Sequence, residues 1–240
     1  MTVNVAVATG DAALAAGARS QIYACLAWLT ASPATRTVDQ QLTTAVLQNS
    51  LDRLGIAADA LPFTLDSDSL IGLADAHINA GGGEALCADF SRAYGAAFEV
   101  GDRGPPLAIR EELVPGISAG NKEEVARFYE HFGYELGDGY AWQPDHLTVL
   151  FEFMHFLSYS ECAAATADAQ RDLRAAQRDF LGRHILNWLP ATAAALAEKN
   201  ASAATGSQLA GDFLPIVFAV ATSFAHRDHD YLTLQLSRDE

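Results

Sequence analysis

Basic residues and long apolar runs are both scarce in this sequence. It has 15 Lys and Arg against 30 Asp and Glu, a formal net charge of −15, whereas nucleic-acid binding needs clustered basic side chains. Its longest apolar stretch, residues 213–225, is interrupted by Pro215, Thr222 and Ser223 and is shorter than the ~20 apolar residues of a membrane-spanning helix. We therefore expect no nucleic-acid partner and no stable membrane insertion.

Signals for export and for cysteine chemistry are also missing. Residues 1–8 contain no Lys or Arg, whereas a secretory signal starts with positive charge and continues into an apolar block. The expected location is therefore the cytoplasm. The three cysteines, Cys25, Cys87 and Cys162, are widely spaced and form no C-x-x-C motif. We expect them to be small buried apolar residues that bind no metal.

Helical signals, by contrast, run through most of the chain. Alanine, the strongest helix former, is frequent, and apolar residues recur at spacings of three and four. We predict an all-α fold, a bundle of roughly 8–11 helices, with Gly55 ending the second helix and Pro190 bending the seventh. The predicted helices cover residues 11–30, 38–54, 67–78, 84–98, 121–131, 144–167, 168–199 and 207–226.

One segment interrupts the helical pattern. Residues 100–120 contain four glycines and three prolines, a composition typical of a linker. We call this segment the hinge. It predicts an N-terminal helical part (1–99) and a C-terminal helical part (121–240) within one domain. A linker of this length also allows helix exchange between protomers, so a monomer and a domain-swapped dimer both remain open.

The helix that follows residue 143 carries polar side chains between two apolar faces. Asp145, Thr148, Glu152 and Tyr159 recur at spacings of three, four and seven. In one interpretation, Pro144 is the first helical residue, Asp145 caps the helix and Glu152 pairs with an internal arginine. In the other, Asp145 and Glu152 form a half-buried site with a histidine at the edge of a groove. That site would accept guanidinium groups from a peptide.

Four stretches form a motif series with a distinctive order and spacing. The first three pair aromatic residues with a proline or an acidic residue, and the fourth contains a tryptophan near its end. They are F-S-R-A-Y-G-A-A-F at 90–98 followed by Pro105-Pro106 and Glu111, F-Y-E-H-F-G at 128–133, Q-P-D-H-L-T-V-L-F-E-F-M-H-F-L at 143–157, and Q-R-D-F-L-G-R-H-I-L-N-W-L-P at 177–190.

This series resembles the TorD/DmsD chaperones over roughly residues 20–224. Gln143 departs from the pattern, since many relatives carry an acidic residue there, and Asp138 is the nearest substitute. The chaperones of dimethyl sulfide, ethylbenzene and chlorate-type molybdenum enzymes are the expected nearer relatives.

The resemblance implies a chaperone of anaerobic respiration that is not an enzyme and holds no cofactor. It would bind the twin-arginine signal peptide and the apo form of a molybdoenzyme catalytic subunit, assist cofactor insertion and delay export. The implied peptide-binding residues lie in the motifs and the hinge. They are Tyr94, Phe98, Glu111, Tyr129, Trp142, Pro144, Asp145, His146 and Glu152.

Three alternatives remain open at this point. His146 and His155, with the nearby carboxylates, could form a metal or acid–base cluster, although they lack the i, i+4 spacing of a two-histidine site. The H-x-x-H-D run at 226–230 is better explained as histidines that complement the dipole at a helix end. The second alternative is nucleotide binding. Its candidate is the Gly-Gly-Gly run at residues 81–83, which is not followed by the Lys-Ser or Lys-Thr of a phosphate loop. The third alternative is a helical adaptor that binds no peptide.

Overall fold

The computed structural model describes residues 5–36, 41–99, 104–118, 120–137, 140, 143–202 and 212–238. Within these ranges it contains nine α-helices and no strand, apart from one isolated bridge between Arg110 and His146. The predicted all-α fold is confirmed. The helices are α1 Val5–Thr30, α2 Thr44–Asp59, α3 Asp68–Asn79, α4 Gly83–Phe98, α5 Gly120–Phe132, α6 Leu147–Ala163, α7 Ala167–Phe180, α8 Leu189–Ser202 and α9 Phe213–Arg238.

The second helix differs from its prediction at both ends. It begins at Thr44, because the Thr43 hydroxyl accepts the N–H of Val46 at 3.3 Å and caps the helix. It also continues through Gly55, so the prediction that Gly55 ends it is wrong. A Cβ at Gly55 would lie 3.2 Å from Ile71 of α3, so the glycine allows close packing of the two helices. Part of the predicted start, residues 38–40, lies outside the described residues.

The predicted long helix over 168–199 is two helices. After α7, a π-helical turn, Leu181–Ile185, interrupts the α-helical hydrogen bonding before α8 begins. Pro190 is the second residue of α8, where a missing N–H is tolerated. The predicted bend at Pro190 is therefore wrong, and the break lies earlier, at the π turn.

The last helix is longer than predicted. It continues to Arg238, so the H-x-x-H-D run lies within α9. The prediction that this run lies at a helix end is wrong. Asp228 of this run is fully buried and accepts a hydrogen bond from the Tyr23 hydroxyl at 2.7 Å. The predicted start at residue 207 falls outside the described residues.

The centre of the molecule is the pair formed by α1 and α6, which pack along their length. Helices α2 and α7 flank this pair, and α9 lies against α3, α4, α7 and α8. One hydrophobic core contains side chains from both sides of the hinge, so the two parts do not have separate cores. None of the described helices is long and apolar enough to cross a membrane.

A buried ionic cluster joins four of these helices. The Arg19 guanidinium of α1 donates to Asp228 of α9 at 2.5 Å and to Glu161 of α6 at 2.9 Å, and it also donates to Gln177 of α7. Arg174 donates to the second Glu161 oxygen at 2.7 Å. Burial lowers the pKa of Arg19, but the two carboxylates outweigh this effect and raise it. We call these five residues the Arg19 cluster.

Replacing Arg19 with methionine should destabilise the protein by about 3–5 kcal/mol, because two buried carboxylates lose their shared cation. The free energy of unfolding in urea at pH 7 measures this loss. The matched control is Arg183→Met, which removes an exposed ion pair with Glu124 and should change stability by less than about 1 kcal/mol. Equal losses in the two variants would contradict a structural role for the cluster.

Candidate functional site

The hinge is attached to the start of α6 by main-chain hydrogen bonds. The N–H of Glu111 donates to the Asp145 carbonyl at 3.1 Å, and the N–H of Leu147 donates to the Ile109 carbonyl at 3.0 Å. These bonds form the bridge between Arg110 and His146. They bring two sequence-predicted segments, the hinge and the Q-P-D-H-L motif, into direct contact.

The side chain of Asp145 strengthens this attachment. Its carboxylate is fully buried and accepts the N–H of Glu112 at 2.9 Å. It also accepts two bonds from the Arg110 guanidinium, each 3.3 Å long. The predicted capping of α6 by Asp145 is therefore wrong, because the carboxylate points to the hinge. We call Arg110, Glu112, Asp145 and His146 the hinge latch.

His146 is the residue that caps α6. Its Nδ1 accepts the N–H of Thr148 at 3.2 Å, and its backbone is extended, as expected at a cap. Pro144 lies in the preceding turn and is not helical, in contrast to the prediction. Burial lowers the pKa of His146 to about 3, and the neighbouring Arg110 charge adds to this effect. The ring is therefore neutral at pH 7, with its proton on Nε2.

Glu111 turns away from the latch into the interior. Its fully buried carboxylate accepts bonds from Asn121 of α5 at 2.7 Å and from Asn187 at 3.1 Å. His184 belongs to the π turn, and its Nδ1 lies 3.1 Å from Oε2 of Glu111. The hinge is thus held on one side by Asp145 and on the other by the polar partners of Glu111.

The predicted aromatic residues lie behind the latch. Tyr94 is buried and its hydroxyl donates to the Thr30 carbonyl at 3.0 Å, and Phe98 stacks on Phe218 with ring centroids 5.2 Å apart. Tyr129 is buried and donates to the Pro144 carbonyl at 2.8 Å. They support the site from the core, and their contact with a peptide stays a prediction. Trp142 and Asp138 lie outside the described residues.

A cavity of about 250 Å³ lies next to the latch, between α1 and α6. The ring of Tyr140 lies 5.0 Å from the ring of His146 and connects the two features. We call this cavity the α1–α6 pocket; of the residues around it, sequence motifs marked only Thr148, Glu152 and His155. Its lining residues are Ala24, Ala27, Trp28, Ala31, Thr35, Arg36, Tyr140, Thr148, Glu152 and His155.

Glu152 lies at the mouth of the pocket. The side chain as a whole is exposed, but partial burial raises the pKa of its carboxyl, which accepts a bond from the Tyr134 hydroxyl at 3.2 Å. The predicted ion pair with an internal arginine is not formed with any described residue. Glu152 is therefore the one predicted acidic site residue whose carboxylate faces the outside.

The two histidines of the metal alternative have other partners. The Nδ1 of His155 lies 2.9 Å from the Ser20 carbonyl and 2.8 Å from its hydroxyl, and His146 uses its Nδ1 to cap α6. In the part of the chain that the structure describes, no group of three or more His, Cys, Asp or Glu side chains is placed to hold a metal ion. The geometry thus offers no support for metal catalysis at this site.

Comparisons with known proteins point to the same region. The family model described as the nitrate reductase delta subunit matches residues 112–194, which include the latch residues Glu112, Asp145 and His146. No solved structure matches the chain. The π turn and the predicted Q-P-D-H-L motif lie within the matched range.

Three curated relatives are named as assembly chaperones. The chain is 40% identical over 101 residues to a selenate reductase assembly chaperone protein of Thauera selenatis (40% of this chain, 52% of the relative). It is 38% identical over 119 residues to a dimethyl sulfide dehydrogenase assembly chaperone protein of Rhodovulum sulfidophilum (45% and 48%). It is 34% identical over 122 residues to a perchlorate reductase assembly chaperone protein of Dechloromonas aromatica (49% and 52%). The chain spans about half the length of these relatives.

These matches are to proteins named as assembly chaperones of two reductases and a dehydrogenase, and the all-helical fold agrees with the resemblance found in the sequence. The resemblance found in the sequence is confirmed, since the chain is similar to the nitrate reductase delta subunit family over residues 112–194 and to proteins named as assembly chaperones. Relatives named for a dimethyl sulfide dehydrogenase and a chlorate reductase are among the matches, as the motifs predicted.

The latch makes stability depend on pH. Unfolded His146 binds a proton as the pH falls through about 6.5, but folded His146 stays neutral down to a pKa of about 3. The stability linked to His146 is therefore complete above pH 6.5 and decreases as the pH falls from 6.5 towards 3. Between pH 7 and pH 5, wild type should lose about 2 kcal/mol more than His146→Asn, whose side chain keeps the cap.

Urea unfolding of both proteins at several pH values measures this difference. Between pH 7 and pH 8 the gap between the two proteins should stay constant, which provides an internal control. A parallel decline of both proteins from pH 7 to pH 5 would show that His146 is protonated in the folded state.

Proposed function

We propose that this protein is a system-specific assembly chaperone for a molybdenum oxidoreductase. In this proposal it binds the twin-arginine signal peptide and the apo form of the catalytic subunit in the cytoplasm. It assists cofactor insertion and delays export until the cofactor is in place. The observation that carries the proposal is Glu152, a carboxylate at the mouth of a pocket that has no ion-pair partner among the described residues.

The chemistry of the pocket suits a basic peptide. A guanidinium group forms strong, directional bonds with a carboxylate, and its planar face stacks on aromatic rings. The pocket offers Glu152 for the first interaction and the ring of Tyr140 for the second. The net charge of −15 adds long-range attraction for a positively charged leader and speeds its encounter with the protein.

The other predicted site residues have supporting roles in this proposal. Asp145 and His146 fix the hinge against the start of α6, which sets the position of Glu152 about one and a half turns further along the helix. Glu111 anchors the hinge from the opposite side. Tyr94, Phe98 and Tyr129 support the site from the core, and contact of Pro144 and Trp142 with the peptide stays a prediction. Direct contact with the guanidinium is assigned to Glu152.

Calorimetric titration with a twin-arginine leader peptide of a molybdoenzyme tests the proposal. Glu152→Gln should raise the Kd about 10- to 100-fold, because one charge-assisted hydrogen bond is lost. The matched control is Glu198→Gln, which removes the same charge from the exposed surface of α8 and should change the Kd less than about twofold. A leader with Lys-Lys in place of Arg-Arg should bind the wild type more weakly.

Two results would count against this site. The first is equal binding of the Arg-Arg and Lys-Lys leaders by the wild type. The second is the same affinity in Glu152→Gln and Glu198→Gln, which would leave only non-specific attraction by the net charge. A pull-down with the whole apo-enzyme would then show whether the protein recognises the folded body of its client instead.

A further inference from the structure

Arg36, in the α1–α6 pocket, has hydrogen-bond donors without acceptors. It follows the 3₁₀ turn Pro33–Thr35 that comes after α1. Its Nη2 donates to the carbonyls of Trp28 at 2.9 Å and Ala31 at 3.3 Å, and the guanidinium lies over the Trp28 ring at 4.6 Å. Its Nε and Nη1 are buried and have no hydrogen-bond partner among the described residues.

The contacts of Arg36 within the protein supply hydrogen-bond acceptors for one of its three guanidinium nitrogens, Nη2. Arginine side chains often bind the free carbonyls at a helix C-terminus, and Nη2 does so at the end of α1. The remaining N–H groups are desolvated without compensation, which is unfavourable for any buried donor. Burial also lowers the pKa of Arg36, and the groups that oppose this effect are Tyr94, Tyr140 and Cys87. No carboxylate is among them, although the chain has twice as many acidic as basic residues.

Glu152 and Arg36 line the same pocket and carry opposite charges. Within the described part of the chain, the Glu152 carboxylate has no cation, and two nitrogens of the Arg36 guanidinium have no anion or carbonyl. The two groups are not paired with each other in the structure. A ligand that satisfies both must carry a basic group and an oxygen acceptor a short distance apart.

We propose that Arg36 is a second polar subsite, which donates Nε–H to a main-chain carbonyl or carboxylate oxygen of the bound peptide. Glu152 then receives the basic side chain of the same segment. The inference rests on the proposed function and specifies how the peptide backbone is held. Because Nε is buried in the structure, the guanidinium must rotate outward for this bond to form.

The size and walls of the pocket fit this ligand. Its volume of about 250 Å³ is below the about 300–1,000 Å³ of pockets that enclose a whole drug-sized molecule. One peptide residue is therefore a better match than a large cofactor. Ala24, Ala27 and Ala31 leave space along α1, and the hydroxyls of Thr35 and Tyr140 meet at 2.8 Å at its edge.

The direct test observes the Arg36 side chain by NMR. In ¹⁵N-labelled protein, the Nε–H signal of Arg36 is identified by its loss in Arg36→Lys. It is then followed during titration with the twin-arginine leader and, separately, with N-acetyl-L-arginine, which carries a guanidinium and a carboxylate. We expect the signal to shift and saturate with both probes, because a new acceptor binds Nε–H. This measurement is made on the wild type and does not depend on a variant that folds.

Variants separate the two subsites. Arg36→Gln should weaken Arg-Arg and Lys-Lys leaders by the same factor, about tenfold, because the lost bonds go to the peptide backbone. Glu152→Gln should instead reduce the preference for Arg-Arg over Lys-Lys. Arg53→Gln is the matched control, since Arg53 is exposed on α2 and should leave both affinities unchanged. Thermal unfolding of each variant confirms that it is folded.

Each outcome decides a separate point. If the leader binds but the Arg36 signal does not move and Arg36→Gln binds as tightly as wild type, the subsite is refuted and the proposed function stands. If the leader does not bind but N-acetyl-L-arginine shifts the Arg36 signal, the subsite stands and signal-peptide binding is refuted. If neither probe binds, both proposals fail.

Discussion

The fold depends on one buried cation. Arg19 lies at the centre of the molecule, where its guanidinium is shared between Glu161 and Asp228. Such a cluster stabilises a structure only when every charged group has its partners, and removing one member leaves the others uncompensated. Because its members come from α1, α6, α7 and α9, the cluster fixes the relative positions of helices that are distant in sequence. The α1–α6 pair that forms the pocket inherits its geometry from this arrangement.

Buried carboxylates also fix the position of the hinge. Glu111 lies in the segment that the sequence marks as a linker, Asp145 lies just before α6, and both carboxylates hold that segment in place. Two acidic residues that looked suited to a basic ligand therefore act on the protein's own backbone and side chains. The pocket keeps Glu152 and Arg36 available, so the groups proposed to bind the peptide are those that the fold leaves unsatisfied.

The sequence pattern predicted helix bounds well where residues close in sequence determine them. The bounds of α3 and α4 agree with the periodicity within about one residue, because the apolar spacing and the flanking glycines act on the same short segment. The start of α6 could not be predicted, since the bond that turns Asp145 away from the helix comes from Glu112, 33 residues earlier. For the same reason no sequence signal marked Arg36: a missing partner is a property of the folded surroundings.

The hinge latch has a consequence for how such a protein can diversify. On the hinge side, the bond to Asp145 from Glu112 comes from a main-chain N–H, and the bridge uses main-chain atoms of Ile109 and Glu111. Main-chain donors are present whatever side chain a position carries. An exposed hinge residue such as Leu113 can therefore change in evolution without loosening the latch. A surface of this kind can acquire new partners while the inherited backbone geometry stays constant.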